Sequence, residues 1–397
     1  MKRIDRRGFL KTGITGAAGI MAISPAMIKA TESSKETDII YRTLGKTGLK
    51  IPVISFGVMR ADNANLCKAA FEKGITFFDT ANGYQNGNNE IMLGNLFKDY
   101  PRKSFVIATK VKPDGLDRIG KPTDQTTAED FLKKFNESLT RLKMDYVDIL
   151  YIHSVNNPEI LEHKPILNAV KKLKKDGKIR FMGFSTHSNE ATVISAASAT
   201  DDWDVILTSY NFKQTYISEM NSAIKKAAAA GIGIVAMKTL AGGGFLDKEK
   251  TKPINTTAAI KWALSNPDVT TTIPGMTAFD QLDLNVKILG DIALLEQEKN
   301  DLVLANVESG MYCTGCGKCI TACPKNLPVP DLMRAFMYAY GYSNTYMASS
   351  LLSELGTTAD PCKDCNACSV NCTKAFNVRE KISDISRLVN VPVDFLA

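Results

Sequence analysis

Four side chains in the first half of the chain, Asp79, Tyr84, Lys110 and His153, are of types that together can move a proton. A tyrosine hydroxyl titrates near pH ~10, too high for efficient proton transfer at neutral pH. A lysine ammonium beside it favours the phenolate and draws that value down, and an aspartate keeps the lysine charged and in place. A histidine can hydrogen-bond a substrate oxygen and orient it. With this set, Tyr84 is expected to give a proton to a carbonyl oxygen as hydride reaches the carbon, or to run the reverse on an alcohol. Taken singly, each has a plainer reading: an Asp capping a helix, a Lys ending a strand, a His bonded to a buried carbonyl.

The second constellation is sulfur. Of nine cysteines, all but Cys67 lie between Cys313 and Cys372. They form two runs, CTGCGKCITACP from Cys313 and CKDCNACSVNC from Cys362, each with the spacing C-x₂-C-x₂-C-x₃-C. Three closely spaced thiolates can hold three corners of an iron–sulfur cube while the fourth points toward another cluster. Two [4Fe-4S] clusters are expected on this spacing, one on Cys313, Cys316, Cys319 and Cys372, the other on Cys362, Cys365, Cys368 and Cys323. Pro324 follows the first run, and Thr373 stands at that place in the second without removing a ligand. Zinc, which more typically uses paired C-x₂-C elements, and disulfides, usual in an exported chain, remain the alternatives. Cys67, in LCKAAFEKG, reads as a core residue.

The elements that must position these groups follow from hydrophobic pattern. Short β-rich runs occur at Val53–Gly57, Thr76–Thr80, Phe105–Lys110, Val147–His153, Ile179–Ser185, Val205–Ser209, Gly233–Met237 and Thr270–Pro274. Amphipathic helical stretches separate them, such as EDFLKKFNESLTRL and KPILNAVKKLKKDGK, the second ending at Gly177. Eight β-then-α units close most naturally as a parallel (β/α)₈ TIM barrel. A doubly wound sheet is the alternative, weakened because no G-x-G-x-x-G turn follows the first strand. The segment IIYRTLGKTGLKI reads as a hairpin capping the barrel floor. Asp79, Lys110 and His153 end successive strands and Tyr84 follows the first of them, so all four converge on one mouth.

This arrangement resembles the aldo-keto reductase family. The motifs DTANGY, ATKV and YIHS match its Asp-Tyr-Lys-His tetrad, and GFS, SYN, AMKTLAGG and IPG resemble its later strand ends. The resemblance implies an NAD(P)-dependent carbonyl reductase or alcohol dehydrogenase, with cofactor-binding positions at Ser185, Thr186, Lys238, Leu240, Gly275, Gln281 and Asn285. It also marks departures. Thr186 stands where asparagine is usual, Leu207 replaces a glutamine, and Met237 takes the place of the tyrosine that stacks on nicotinamide. Gly275, Met276 and Gln281 stand where members often present Lys, Ser and Arg near the adenosine phosphate, with Asn285 retained. The cysteine runs are similar to those of bacterial two-cluster ferredoxins, so a small ferredoxin-like dicluster domain is expected behind the barrel.

At 397 residues, 44% hydrophobic and 23% charged, the chain has ample core for two domains. Most of its formal charge of +7 lies in the first thirty residues, where Lys2, Arg3, Arg6, Arg7, Lys11 and Lys29 face only Asp5. The remainder is too evenly charged for nucleic-acid binding. The order Arg6-Arg7, an uncharged Gly/Ala-rich stretch from Thr12 to Ile28, then TESSKETD, resembles a twin-arginine signal, which exports folded proteins. The apolar stretch is short of a membrane span. The expected organisation is a signal at 1–30, a linker at 31–39, the barrel at 40–308 and the dicluster domain at 309–397, in a periplasmic protein without a membrane span. Three functions compete. One is a carbonyl–alcohol oxidoreductase on a small, sugar-like molecule, its clusters passing electrons to a redox partner. Another is the same enzyme with structural clusters, and the last an electron-transfer or docking protein on a non-catalytic barrel. The signal has a direct test. Replacing Arg6 and Arg7 by Lys keeps the charge but abolishes twin-arginine export; unchanged export of the double variant rules the signal out.

Overall fold

The computed structural model describes residues 38–247, 251–307 and 310–396, apart from the Val307 side chain. The signal, most of the linker and the domain boundary near Ser309 therefore lie outside the described residues. A hairpin comes first, β1 (Tyr41–Thr43) pairing antiparallel with β2 (Lys50–Pro52). Eight parallel strands follow: β3 (Phe56–Gly57), β4 (Phe77–Asp79), β5 (Val106–Val111), β6 (Val147–Ile152), β7 (Ile179–Thr186), β8 (Val205–Ser209), β9 (Gly233–Met237) and β10 (Thr271–Thr272). They are hydrogen-bonded in sequence order from β3 to β10. The ring closes where the Ser55 amide donates to Thr272 O at 2.8 Å and the Thr272 amide to Val53 O at 3.0 Å. The first and last strands are shorter than expected. Closure rests on a single bridge, Ile54 to Thr272, and Pro274 has no N–H with which to continue a ladder.

The hairpin plugs the floor. Leu44 and Ile51 are fully buried and join the barrel-interior cluster with Phe77, Ile149, Val205 and Val235. Gly233 opens β9 with no side chain because a Cβ there would meet the Leu44 side chain at 2.6 Å. Outside the strands, helices bury one stripe each. In Ala128–Leu142 the stripe is Phe131, Phe135, Leu139 and Leu142, and the Thr127 hydroxyl accepts from the Asp130 amide as N-cap.

The cysteine region is built on three helices, Val329–Tyr340, Thr345–Glu354 and Val378–Ile385, with a hydrophobic cluster of its own. The first of these, the roof helix, is buried from Val329 through Tyr338, including Asp331 and Arg334. A helix buried on every side needs a second surface to cover its polar face. The barrel mouth supplies it, and from Asp38 onward the described residues form one compact unit.

Packing between β7 and β8 is equally tight. A Cβ at Gly183 would run into the Val205 carbonyl oxygen and the Tyr151 ring, and Tyr151 lies under Lys110, its ring centroid 6.0 Å from the ammonium. Gly183→Ala is therefore expected to cost about 1–3 kcal/mol and to lower the thermal midpoint by several degrees. An unchanged midpoint in calorimetry indicates that this seam is looser than described.

Candidate active site

Three consecutive strands, β4, β5 and β6, deliver the tetrad to one end. Asp79 ends β4 and Lys110 lies in β5; both are almost fully buried and form an ion pair. The ammonium also donates to Thr80 O at 2.7 Å. Burial pushes the Asp79 carboxyl up and the Lys110 ammonium down, and each charge opposes the other's shift. A buried lysine is tolerable only with such a partner.

Tyr84 sits in the turn that follows β4. Gln85 and Asn86 adopt positive φ of 51° and 54°, and Gly87 lies at 84°. Asn89 holds this turn down, donating to Val58 O at 2.7 Å and Ala61 O at 3.0 Å and accepting from the Thr80 hydroxyl at 2.6 Å. The Lys110 ammonium lies 4.9 Å from the Tyr84 ring centroid. The ring meets His153 edge-on, with centroids 5.9 Å apart. Lys110 does not draw the phenol down as expected. Burial, then the Asp79 carboxylate and Tyr342, push the Tyr84 hydroxyl well above its ordinary value. The reason is that the lysine's hydrogen bonds go to Asp79 and Thr80, and its charge is largely offset by the carboxylate. His153 is held well below its ordinary value by burial, then by Lys110, Lys112, Arg334 and Lys238, so its imidazole is neutral.

Three further residues come from the roof helix and the turn after it. Arg334, Tyr338 and Tyr342 border the cavities that hold Tyr84 and His153. They lie more than 180 positions from His153 in sequence, and nothing local to them marks a site. His187 was also missed, although its place one residue past β7 was a usable signal. Its Nδ1 accepts from the Arg334 guanidinium at 2.6 Å, so Nε2 carries the proton and donates to the Ser154 hydroxyl at 3.2 Å. Burial and Arg334 keep it neutral.

A cleft of about 400 Å³ runs from Tyr84 and His153 past Gly242–Gly244 to Asn285. Ser185, Lys238, Leu240, Gly275, Gln281 and Asn285 line it, together with Met237. Thr186 does not. Neighbouring strand residues point to opposite faces, and its hydroxyl donates instead to Ser188 O at 3.2 Å. Leu207 is fully buried in the barrel interior, so its substitution adds core and leaves the cleft wall untouched. The glycine run fits a nicotinamide cofactor in one respect, since a Cβ at Gly244 would meet nothing within 4 Å and ligand could approach the backbone closely.

The first of the two expected cysteine sets comes together in space. Cys313, Cys316, Cys319 and Cys372 line one small cavity. Backbone amides of Gly315 and Lys374 donate to the sulfurs of Cys313 at 3.3 Å and Cys372 at 3.4 Å. Of the second set, Cys323 and Cys362 are buried in one hydrophobic cluster. Zinc would hold each sulfur about 2.3 Å away. Among the described residues no three His, Cys, Asp or Glu side chains gather closely enough for one ion. Cys67 is buried in the barrel core.

Comparison with known proteins agrees with this geometry. The family model described as the aldo/keto reductase family matches residues 54–258, and a 4Fe-4S dicluster domain matches residues 312–377. The chain is 28% identical to L-galactose dehydrogenase of Arabidopsis thaliana, over 67% of this chain and 93% of that protein. It is 26% identical to L-glyceraldehyde 3-phosphate reductase of Escherichia coli K12, over 65% and 90%. Among solved structures, the holo form of a Bacillus halodurans aldo-keto reductase shares the fold with a TM-score of 0.55, at 23% identity over 67% of this chain and 96% of that one. With its tetrad at the mouth of a parallel barrel and a dicluster domain behind it, the chain is an oxidoreductase that belongs to the aldo/keto reductase family.

Proposed function

We propose that this oxidoreductase interconverts an aldehyde or ketone and its alcohol at Tyr84, and that its two cysteine sets hold [4Fe-4S] clusters, each a one-electron carrier. These exchange electrons with the site through a redox partner or further bound cofactor able to split the hydride's electron pair. A nicotinamide, NADP or NAD, bound in the cleft would supply or accept the hydride at the carbonyl carbon. Ser185, Leu240, Gly275, Gln281 and Asn285 would hold it, while Lys238 lines the same cleft where it turns toward the roof helix. Tyr84, neutral because it is buried, gives its proton to the carbonyl oxygen in reduction. Neutral His153 orients that oxygen through a hydrogen bond, and the roof helix keeps water from the reacting atoms. Similarity to proteins named for L-galactose and L-glyceraldehyde 3-phosphate supports a sugar-like substrate.

One observation carries the electron role. Cys313 lines a cavity with His187, Lys238 and Arg334, and these residues also border the catalytic mouth. The first cysteine set is therefore the one beside the chemistry. Purely structural clusters are the second reading, favoured by the cysteine region's part in roofing the site. Export by the twin-arginine route to the periplasm belongs to the same proposal, because clusters must be inserted before translocation and a nicotinamide would travel with the folded protein. No helix among the described residues is long and apolar enough to cross a membrane.

Two measurements test the reading. Tyr84 must be protonated for reduction, and its folded pKa is raised, so the active form persists below that raised value and is lost only above it. The kcat for reduction is expected to stay flat between pH ~7 and ~9.5, while alcohol oxidation rises about tenfold per pH unit. An alkaline loss of reduction centred near pH 8 shows instead that Lys110 lowers the phenol. The electron role is read anaerobically by EPR. Alcohol added to the oxidised protein should reduce the clusters, and Tyr84→Phe should slow both this and turnover by about 10²–10⁴-fold. Clusters that stay silent through many NADPH-driven turnovers leave them a structural role.

A further inference from the structure

Two cations from different parts of the chain meet at the seam between barrel and roof helix. Lys238 follows β9 and is held at a φ of 57°, a conformation that a lysine keeps only where its surroundings impose it. Among the described residues its ammonium has no hydrogen-bond or ion-pair partner, only the Tyr338 ring with its centroid 6.0 Å away. The carboxylates whose charge reaches it, Glu190 and Asp331, do not bond it: Glu190 accepts from the Tyr216 hydroxyl through one oxygen and keeps its Oε1 buried without a partner, and Asp331 pairs with Arg334 at 2.6 Å. Arg334, 8% exposed, is tied through one terminal nitrogen to Asp331 and His187, while its Nε is buried without a partner. The Ser209 hydroxyl is buried without a partner as well.

Lys238, Arg334, Ser209 and His187 line one cavity. Burial and the nearby Arg334 charge push the Lys238 ammonium down to about 7, so the two cations act against each other across the seam. Buried donors without acceptors, and a buried ammonium without a bonded counter-charge, are costly to keep. A single oxyanion would accept from all three donors and relieve the repulsion. The position indicates which molecule brings it. Arg334 also borders the cavity of about 570 Å³ that holds Tyr84, Lys110 and His153, and Lys238 borders the cleft on the other side of that tetrad.

We propose that Lys238, Arg334 and the Ser209 hydroxyl form an anion subsite that receives a carboxylate or phosphate carried by the carbonyl substrate. This deepens the carbonyl–alcohol reading and rests on it. The substrate class is then an anionic oxo compound, an oxo acid or a phosphorylated carbonyl, with its carbonyl at Tyr84 and its charge at the seam. Specificity for charge then comes in part from the dicluster domain, because Arg334 is on the roof helix.

The test is calorimetric binding of oxalate, inorganic phosphate and uncharged oxamide to the full, cluster-loaded protein saturated with NADP⁺. At least one anion is expected to bind tenfold or more tighter than oxamide, a comparison that needs no variant. That affinity should fall at least tenfold in Arg334→Gln and Lys238→Met, and measurably in the milder Ser209→Ala, at unchanged iron content. Anions that bind no tighter than oxamide overturn the proposal. So does unchanged anion affinity in the variants with a shifted cluster potential, which would make the cations counter-charges to the nearby cluster. The same titration is run on cofactor-free protein, and anion binding that is present there but absent in the NADP⁺-saturated protein assigns the cations to the cofactor's phosphates and overturns it too. Binding is read without turnover, so failure here is separate from failure of the Tyr84 assignment.

Discussion

Lys110 and Asp79 are a charge pair taken almost entirely out of water at the open end of a barrel. Such a pair repays its desolvation only while its partners stay in place and water stays out. Much of the architecture around it serves those two conditions. The hairpin plugs the far end, the interior layer of Phe77, Ile149 and Val205 fills the space below, and Tyr151 lies against the ammonium. The turn that carries Tyr84 is pinned by Asn89, so the phenol is fixed over the lysine.

The open end would remain wet without the cysteine region. The roof helix spends its polar face on the mouth, with Asp331 reached by Asn156 at 3.4 Å and Arg334 bonded to His187 at 2.6 Å. Further ties run from Lys112 to Glu354 at 2.7 Å and from the Tyr216 hydroxyl to Thr314 O at 2.6 Å. The last of these anchors the loop of the first cysteine set on the barrel. The dicluster domain is thus part of the active site's wall, and a change in one region is felt in the other.

Burial also sets the protonation states that the chemistry uses. Tyr84 is kept as an acid, and His153 and His187 as neutral imidazoles. Each is shifted first by loss of water, with nearby charges acting second. The same desolvation strengthens every hydrogen bond to a reacting oxygen. A site of this kind is prepared before substrate arrives.

The sequence alone determined the barrel, because eight short β-rich runs alternating with amphipathic helices have few other ways to bury both faces of a parallel sheet. It determined the tetrad, since strand ends place Asp79, Lys110 and His153 on one rim whatever the loops do. It marked the dicluster domain, because the spacing C-x₂-C-x₂-C-x₃-C occurs twice within sixty residues. Tertiary structure alone decided the rest. That Lys110 turns to Asp79 and not to the phenol depends on side-chain directions inside the mouth. Thr186 turns away from the cleft because of where β7 ends, and Leu207 faces inward because of strand register. Arg334, Tyr338 and Tyr342 enter the site only through packing between segments far apart in the chain. Local pattern reports which face of a helix is apolar, and it carries no information about which distant surface will cover the other face.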